Sequence, residues 1–249
     1  MKRIKVIRFV LFLISTATMA FIALCFYWSR YIKWNIDYYL MKYWCNSGTF
    51  IYGIKRVRTY GPGFVDTVGI YVAPHSSFWD IVTLGSEVKG FFVSKAEVVK
   101  WPVIGLGAKF VRTVFIERES GVKAFHAMEA AAKKIFATGN SLILFPEGTR
   151  NIEHMKPLKS GAFHLASQTG KPVIPIILKY SPFEIFIGKD IKASFLTQII
   201  RHAVQLKQGA AAIHIRKLAP VYSKDFQSVS EMKEHVFRVM DEEYRNMMV

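Results

Sequence analysis

The chain has 249 residues and a hydrophobic share of 51%, with no low-complexity segment, which excludes a disordered chain and suits one sizeable core rather than two. Its formal net charge is +16, and the excess runs along the whole chain, so an anionic partner met over a broad surface is expected, an anionic membrane or a nucleic acid. The two cysteines, Cys25 and Cys45, have no metal-ligand spacing, which excludes a disulfide framework and a zinc site.

The first fifty residues read as membrane-directed. Phe9 to Trp28 is a run of twenty residues without a charge; as a helix rising about 1.5 Å per residue it reaches roughly one hydrocarbon thickness. Lys2, Arg3, Lys5 and Arg8 precede it, and Arg30 and Lys33 follow it. The run is longer than the apolar part of a secretory signal, and no small-x-small cleavage site ends it. YWSRYIKWNIDYYLMKYW (27–44) then crowds together Trp28, Tyr31, Trp34, Tyr38, Tyr39, Tyr43 and Trp44, residue types that settle at the headgroup level, while Lys33 and Lys42 extend toward phosphates. Both flanks are basic, so a single span conflicts with the positive-inside bias. A helical hairpin dipping into one leaflet, with both ends on the cytoplasmic face, removes the conflict. Residues 1–48 are therefore expected to be N-terminal membrane-anchoring helices, and residues 49–249 a separate α/β domain.

Beyond Gly48 the pattern changes. VGIYVA (68–73), GFFVS (90–94), VRTVFI (111–116), SLILFP (141–146), PVIPIIL (172–178) and AAIHIRKL (211–218) read as strands. Between them, residues 121–138 place Val122, Phe125, Met128, Ala132, Ile135 and Phe136 on one helical face, with Gly139 as the stop. Shorter helices are expected at 77–88 and 161–169. Ser228 and Glu231 form a capping-box pattern for a last helix ending near Met247. This alternation predicts a central, mostly parallel or mixed sheet flanked by helices. SPFEIFIG (181–188) and ASFLTQIIRHAVQL (193–206) are apolar and basic at once, and read as a sheet-covering helix or a second surface against lipid.

The common catalytic templates fail. G-x-S-x-G, G-x-x-x-x-G-K-[ST] and H-E-x-x-H do not occur, and GLGAKF (105–110) ends in Phe110 where a dinucleotide fingerprint needs glycine. His75 and Asp80, in YVAPHSSFWDIV (71–82), remain. On one continuous helix, residues five apart diverge by about 140°. Pro74, however, holds Ala73 extended, and Ser76 or Ser77 can cap a helix. His75 then stands at a strand end and Asp80 in the first helical turn, within reach of the imidazole. A carboxylate on one ring nitrogen fixes the tautomer and stabilises the imidazolium, leaving the other nitrogen to take a proton. The alternative is an ordinary capped helix beside a surface histidine. LFPEGTR (144–150) brings Glu147, Gly148, Thr149 and Arg150 to the carboxyl end of another strand, where open α/β sheets bind ligands. VFIERES (114–120) does the same for Arg118, and KPLKSGAF (156–163) places Lys159 just before a helix start, a combination that suits an anion.

Taken in order, His75–Asp80 as H-x-x-x-x-D, TVFIER (113–118), FPEGTR (145–150) and VIPI (173–176) resemble the glycerolipid acyltransferase family, especially the lysophosphatidic acid acyltransferases; KSGAFHLA (159–166) is similar as well. Pro74, Glu117 and Leu158 depart from the family's frequent Asn, Asp and Phe. The resemblance implies transfer of a fatty acyl group from acyl-CoA or acyl carrier protein to the free hydroxyl of 1-acylglycerol 3-phosphate, giving phosphatidic acid. His75, oriented by Asp80, would take the hydroxyl proton as the oxygen attacks the thioester. The activated thioester makes an enzyme nucleophile unnecessary, and no cofactor is expected beyond this co-substrate. Arg118 is expected at the acceptor phosphate, Glu147 at a glycerol hydroxyl or beside Arg118, Arg150 and Lys159 as added positive potential, and Lys95 at the oxyanion or phosphate. The expected partners are the lipid bilayer, lysophosphatidic acid and the thioester, with no nucleic acid, since no recognition module is visible. Another acceptor (glycerol 3-phosphate, lyso-ornithine lipid or another lysophospholipid) and a non-catalytic basic membrane-binding protein are the alternatives.

Overall fold

The structure, a computed structural model, describes residues 2–25, 36–100, 105, 108–109, 112–117, 120–148, 155–182 and 211–247. Two helices open the chain, α1 (Lys2–Cys25) and α2 (Ile36–Ile51). They lie antiparallel: Phe12 meets Gly48 and Tyr52 at one end, and Trp44 Nε1 donates to Thr16 Oγ1 at 3.0 Å further along. Among the described residues, no helix is long and apolar enough to cross a membrane. The aromatic stretch between Tyr27 and Asn35 lies outside the described residues, as do 183–210, which hold most of the apolar and basic segment noted above.

Among the described residues, seven strands form one sheet: β1 (Lys55–Tyr60), β2 (Ile70–Val72), β3 (Gly90–Lys95), β4 (Val114–Ile116), β5 (Ser141–Leu144), β6 (Val173–Ser181) and β7 (Ala212–Lys217), in the order β1-β7-β6-β2-β5-β3-β4. Every neighbouring pair is parallel except β6 and β7, so the sheet is mixed and mostly parallel. The helices α3 (Phe78–Glu87), α4 (Val122–Ala137), α5 (Gly161–Thr169) and α6 (Val229–Asn246) cover it. β2 is the central strand. Ile70, Tyr71, Val72 and Ala73 are all buried, as a parallel strand covered on both faces requires.

β1 is the strand that hydrophobic pattern misses. KRVRTY is basic and half-exposed because it forms the sheet's edge, where charge discourages pairing with another chain. It is held from the side instead. Arg58 forks onto both oxygens of Glu87, and Arg56 Nη1 donates to Ser86 Oγ at 2.7 Å and Asn46 Oδ1 at 2.8 Å. Among the described residues of the strand expected at 111–116, the strand forms at Val114–Ile116.

The hairpin and the sheet share one core, in which Phe12, Tyr38, Met41, Cys45 and Tyr52 join the buried residues of β2, β5 and β6. α2 continues through Gly48 to Ile51 and packs on α3. That contact depends on Gly85, where a Cβ would lie 2.6 Å from Cys45 Sγ. Gly85→Ala is expected to lower stability by about 1–2 kcal/mol, overpacking outweighing alanine's better helix propensity. Adding Cys45→Ala should recover part of the loss in urea unfolding, a coupling that two independent sites would lack.

Candidate active site

Strand β2 ends at Val72, and Ala73 keeps the ladder one step further by donating to Leu144 O at 3.2 Å. The chain then turns through Pro74, His75 and Ser76 into α3. Ser77 is the N-cap: extended at φ −142°, it accepts from the Trp79 amide at 3.3 Å. Asp80, at N3, closes a capping box by accepting from the Ser77 amide at 2.7 Å. The same oxygen, Oδ2, accepts from the Ser76 amide at 2.6 Å and lies 2.8 Å from His75 Nδ1. Oδ1 accepts from the Tyr180 hydroxyl, which β6 delivers from a hundred residues further on. Helix cap and imidazole partner are thus one carboxylate.

Asp80 is fully buried, whereas the His75 side chain keeps about a fifth of its surface exposed. The bond at Nδ1 directs the other nitrogen, Nε2, away from the helix. Among the described residues Nε2 makes no hydrogen bond. The imidazole lies flat on Phe145, with centroids 4.2 Å apart and planes inclined by 20°, and Phe145 in turn stacks on Phe92. Burial, and then the Asp80 charge, hold the Tyr180 phenol far above its ordinary pKa, so it remains the donor in its bond to Asp80. Burial, with the charges of Asp80 and Glu147, also raises Tyr244 on α6.

Glu147 follows β5 in the turn closed by Gly148, whose φ of +74° suits glycine and whose amide donates to Phe145 O at 3.0 Å. The buried Glu147 carboxylate accepts from two backbone amides, His75 at 3.3 Å and Lys156 at 3.2 Å. It therefore ties three loops together. The Lys159 amide adds to this by donating to Pro146 O at 2.9 Å, which brings its exposed side chain onto the same loop cluster. Lys95 is exposed at the carboxyl end of β3. Arg118, Thr149 and Arg150 lie outside the described residues.

Sequence reasoning brings His75, Asp80 and Glu147 together and misses Tyr180, Tyr244 and the Phe145 platform. The signal for Tyr180 was a polar-tipped aromatic at the carboxyl end of VIPIIL, the strand end where such sheets place their sites. Among the described residues no cluster of three or more His, Cys, Asp or Glu is placed to hold a metal ion.

The fold and this site define an α/β protein with a histidine–aspartate pair at the carboxyl edge of its sheet. The chain belongs to the Acyltransferase family, whose profile matches residues 50–179. Among curated relatives, the 1-acyl-sn-glycerol-3-phosphate acyltransferase of Haemophilus influenzae is 35% identical over 134 residues, 53% of this chain and 56% of that protein. The lyso-ornithine lipid O-acyltransferase of Pseudomonas aeruginosa is 32% identical over 162 residues, 62% of this chain and 60% of that one. The chain spans about half the length of the curated relatives it matches. The crystal structure of the 1-acyl-sn-glycerophosphate (LPA) acyltransferase from Thermotoga maritima shares the fold, with a TM-score of 0.65, 21% identity, and coverage of 97% of this chain and 99% of that one.

Burial holds the Glu147 carboxyl above its ordinary pKa even though the two amides and the His75 charge pull it down. The native state therefore keeps a proton that the unfolded chain releases above about pH 4.3, so Glu147 subtracts stability as pH rises through the window up to its raised value. In urea unfolding across that window, the stability of wild type relative to Glu147→Gln should fall with rising pH. A flat difference would mean that burial does not govern this carboxyl.

Proposed function

We propose that the protein transfers a fatty acyl group from an acyl thioester, acyl-CoA or acyl carrier protein, to the sn-2 hydroxyl of 1-acylglycerol 3-phosphate, giving phosphatidic acid. The observation that carries this reading is the 2.8 Å contact of His75 Nδ1 with Asp80, which leaves Nε2 as the proton acceptor. The acceptor hydroxyl bonds to Nε2 and loses its proton there as its oxygen attacks the thioester carbonyl. Asp80 keeps the tautomer and stabilises the imidazolium that forms. When the tetrahedral intermediate collapses, the imidazolium returns the proton to the leaving thiolate. Tyr180 and the Ser76 and Ser77 amides fix Asp80, and Glu147 fixes the His75 backbone. Arg118 is assigned to the acceptor phosphate, because a planar guanidinium matches phosphate oxygens; Lys95, Arg150 and Lys159 add positive potential.

The setting for this chemistry is a membrane surface. α1 exposes Val6, Ile7, Val10, Leu11, Leu13, Ile14 and Phe21, and α2 exposes Tyr39, Tyr43 and Phe50. We place this apolar flank of the hairpin in one leaflet of the membrane whose cytoplasmic face carries the catalytic end, so that lipid acceptor and soluble donor meet at the interface. A second acceptor class, lyso-ornithine lipid, is favoured by the similarity to the Pseudomonas aeruginosa relative.

The mass of the lipid formed from a defined thioester and lysophosphatidic acid tests the reading. Product from lyso-ornithine lipid alone would move the assignment to that acceptor. His75→Ala and Asp80→Asn should each lower the rate by roughly 10²–10⁴ while the fold is retained; unchanged activity would remove the pair from the mechanism, and lipid binding without any transfer by the wild type would point to a non-catalytic membrane-binding protein. Tyr180→Phe removes one hydrogen bond to a buried carboxylate, so kcat should fall by about tenfold with KM unchanged. A parallel fall in thermal stability without a kcat effect would make Tyr180 structural only.

A further inference from the structure

The inward face of α1 begins with an arginine. Arg8, Phe12, Ser15 and Met19 follow helical spacing along one stripe; Phe12 and Met19 are buried, and Ser15 Oγ lies 2.8 Å from Ser47 Oγ on α2. Arg8 is itself only 7% exposed, while Val6, Ile7, Val10 and Leu11 beside it are about half exposed. The usual arrangement of a helix in water is reversed, with the cation turned in and the aliphatic residues turned out.

Among the described residues the buried charge has no protein partner. α1 contains no Asp or Glu, and Asp37 on α2 pairs with Arg112. Among the described residues nothing makes a hydrogen bond or ion pair with the Arg8 guanidinium. A lysine in such a place can shed its proton, but a guanidinium does not, so the charge persists and calls for an anion. One turn along the same face, the Phe12 ring meets Tyr52 edge-on at 5.7 Å. Tyr52 is 1% exposed, and its hydroxyl is buried with no hydrogen-bond partner. Burial pushes this phenol up to about 12 while the Arg8 charge pulls it down, which agrees with a cation close to the hydroxyl. A largely buried guanidinium and, near the next turn of the same face, a fully buried phenol without an acceptor are two donors that an anion can meet.

The site adjoins the catalytic end of the molecule. The Tyr52 ring packs on Trp79 at 5.3 Å, and Trp79 is the chain neighbour of Asp80 in the first turn of α3. We propose that Arg8 and Tyr52 form a subsite for the phosphate of a lipid headgroup, the acyl chains of that lipid lying along the exposed Val6, Ile7, Val10 and Leu11 of the same helix. The guanidinium supplies two parallel donors and the phenol a third. The phosphate belongs to a lipid of the bilayer or, with Arg8 and Tyr52 acting in addition to Arg118, to the acceptor lipid, a choice that rests on the proposed function.

Isothermal titration of the full chain in detergent with dihexanoylphosphatidylglycerol, with dihexanoylglycerol as the phosphate-free control, tests the site without any acyl transfer. Wild type should bind the phosphate lipid and show a raised thermal midpoint, as a ligand of the native state must produce. Arg8→Met should weaken that binding by about tenfold or more and Tyr52→Phe by a smaller factor, with the control unaffected. Arg8→Lys, which keeps the charge and loses the fork, should fall between wild type and Arg8→Met and serves as the readout if Arg8→Met does not fold. Transfer assays then separate the sources. A KM raised for lysophosphatidic acid and unchanged for lyso-ornithine lipid assigns the acceptor's phosphate; unchanged KM values with titration binding lost assign a bilayer phosphate. If wild type shows no transfer yet Arg8-dependent titration persists, the functional reading fails and the subsite stands. Equal phosphate-lipid binding by wild type and the folded Arg8 variants overturns the subsite.

Discussion

The candidate-site end of the molecule depends on where one carboxylate finds its donors. Asp80 is fully buried, and a buried charge is stable only if its hydrogen-bonding capacity is met. Two amides at the start of α3, an imidazole nitrogen and the Tyr180 hydroxyl meet it. Each of those donors is immobilised in return. The helix gains its cap, the loop from Pro74 to Ser77 gains its shape, and β6 is tied to the N-terminus of α3. The position also lies at the positive end of the α3 dipole, which favours the charged carboxylate. Because these constraints coincide, the orientation of His75 is a consequence of how the helix begins.

That coincidence explains what could be read in the sequence. A proline, two serines and an aspartate in order mark a helix start, and the imidazole partner follows from the same residues. The local part of the site was therefore legible. Tyr180 was not, because its contact with Asp80 is created by the pairing of β2 with β6, and no local pattern encodes which strands become neighbours. The Phe145 platform was missed for a similar reason: its motif was noticed, yet the stacking arises only when the ends of β2 and β5 lie side by side. The strands at 68–73 and 141–146 were visible because buried parallel strands are continuous apolar runs. β1 was invisible because an edge strand rich in arginine obeys the opposite rule. The reversal of direction at β7 could not be read either, since an antiparallel return leaves the strand's own pattern unchanged.

The N-terminal hairpin obeys both sets of rules at once. Its inner stripe is continuous with the sheet's core through Phe12, Cys45 and Tyr52, so the hairpin is packed against the sheet that carries the candidate site. Its outer surface carries aliphatic and aromatic residues that water does not favour. In the membrane placement proposed above, a helix pair of this kind would fix the height and tilt of the domain more firmly than a flexible tether, because its sheet-facing and outer sides belong to the same two helices. The buried Arg8 falls where those faces meet, one helical turn from Phe12, whose ring meets Tyr52, and Tyr52 packs in turn on Trp79 beside Asp80.

The arrangement around His75 also bears on the kind of transfer proposed. In a covalent mechanism a serine or cysteine would bond to the proton-accepting nitrogen. Here Nδ1 is committed to Asp80, the oxygen of Ser77 faces the Trp79 amide at the helix start, and no described side chain bonds Nε2. Cys45 is buried between α2 and α3, and burial holds its thiol far above the ordinary range, so it is no nucleophile. Among the described residues none supplies a nucleophile at Nε2, which accords with the proposal that the group meeting it arrives with a substrate. An alcohol needs its proton removed only while it attacks, and a thioester carbonyl is reactive enough to be attacked directly. A fixed imidazole with one open nitrogen is sufficient for that step, provided the rest of the site brings the two reactants to the same side of the ring.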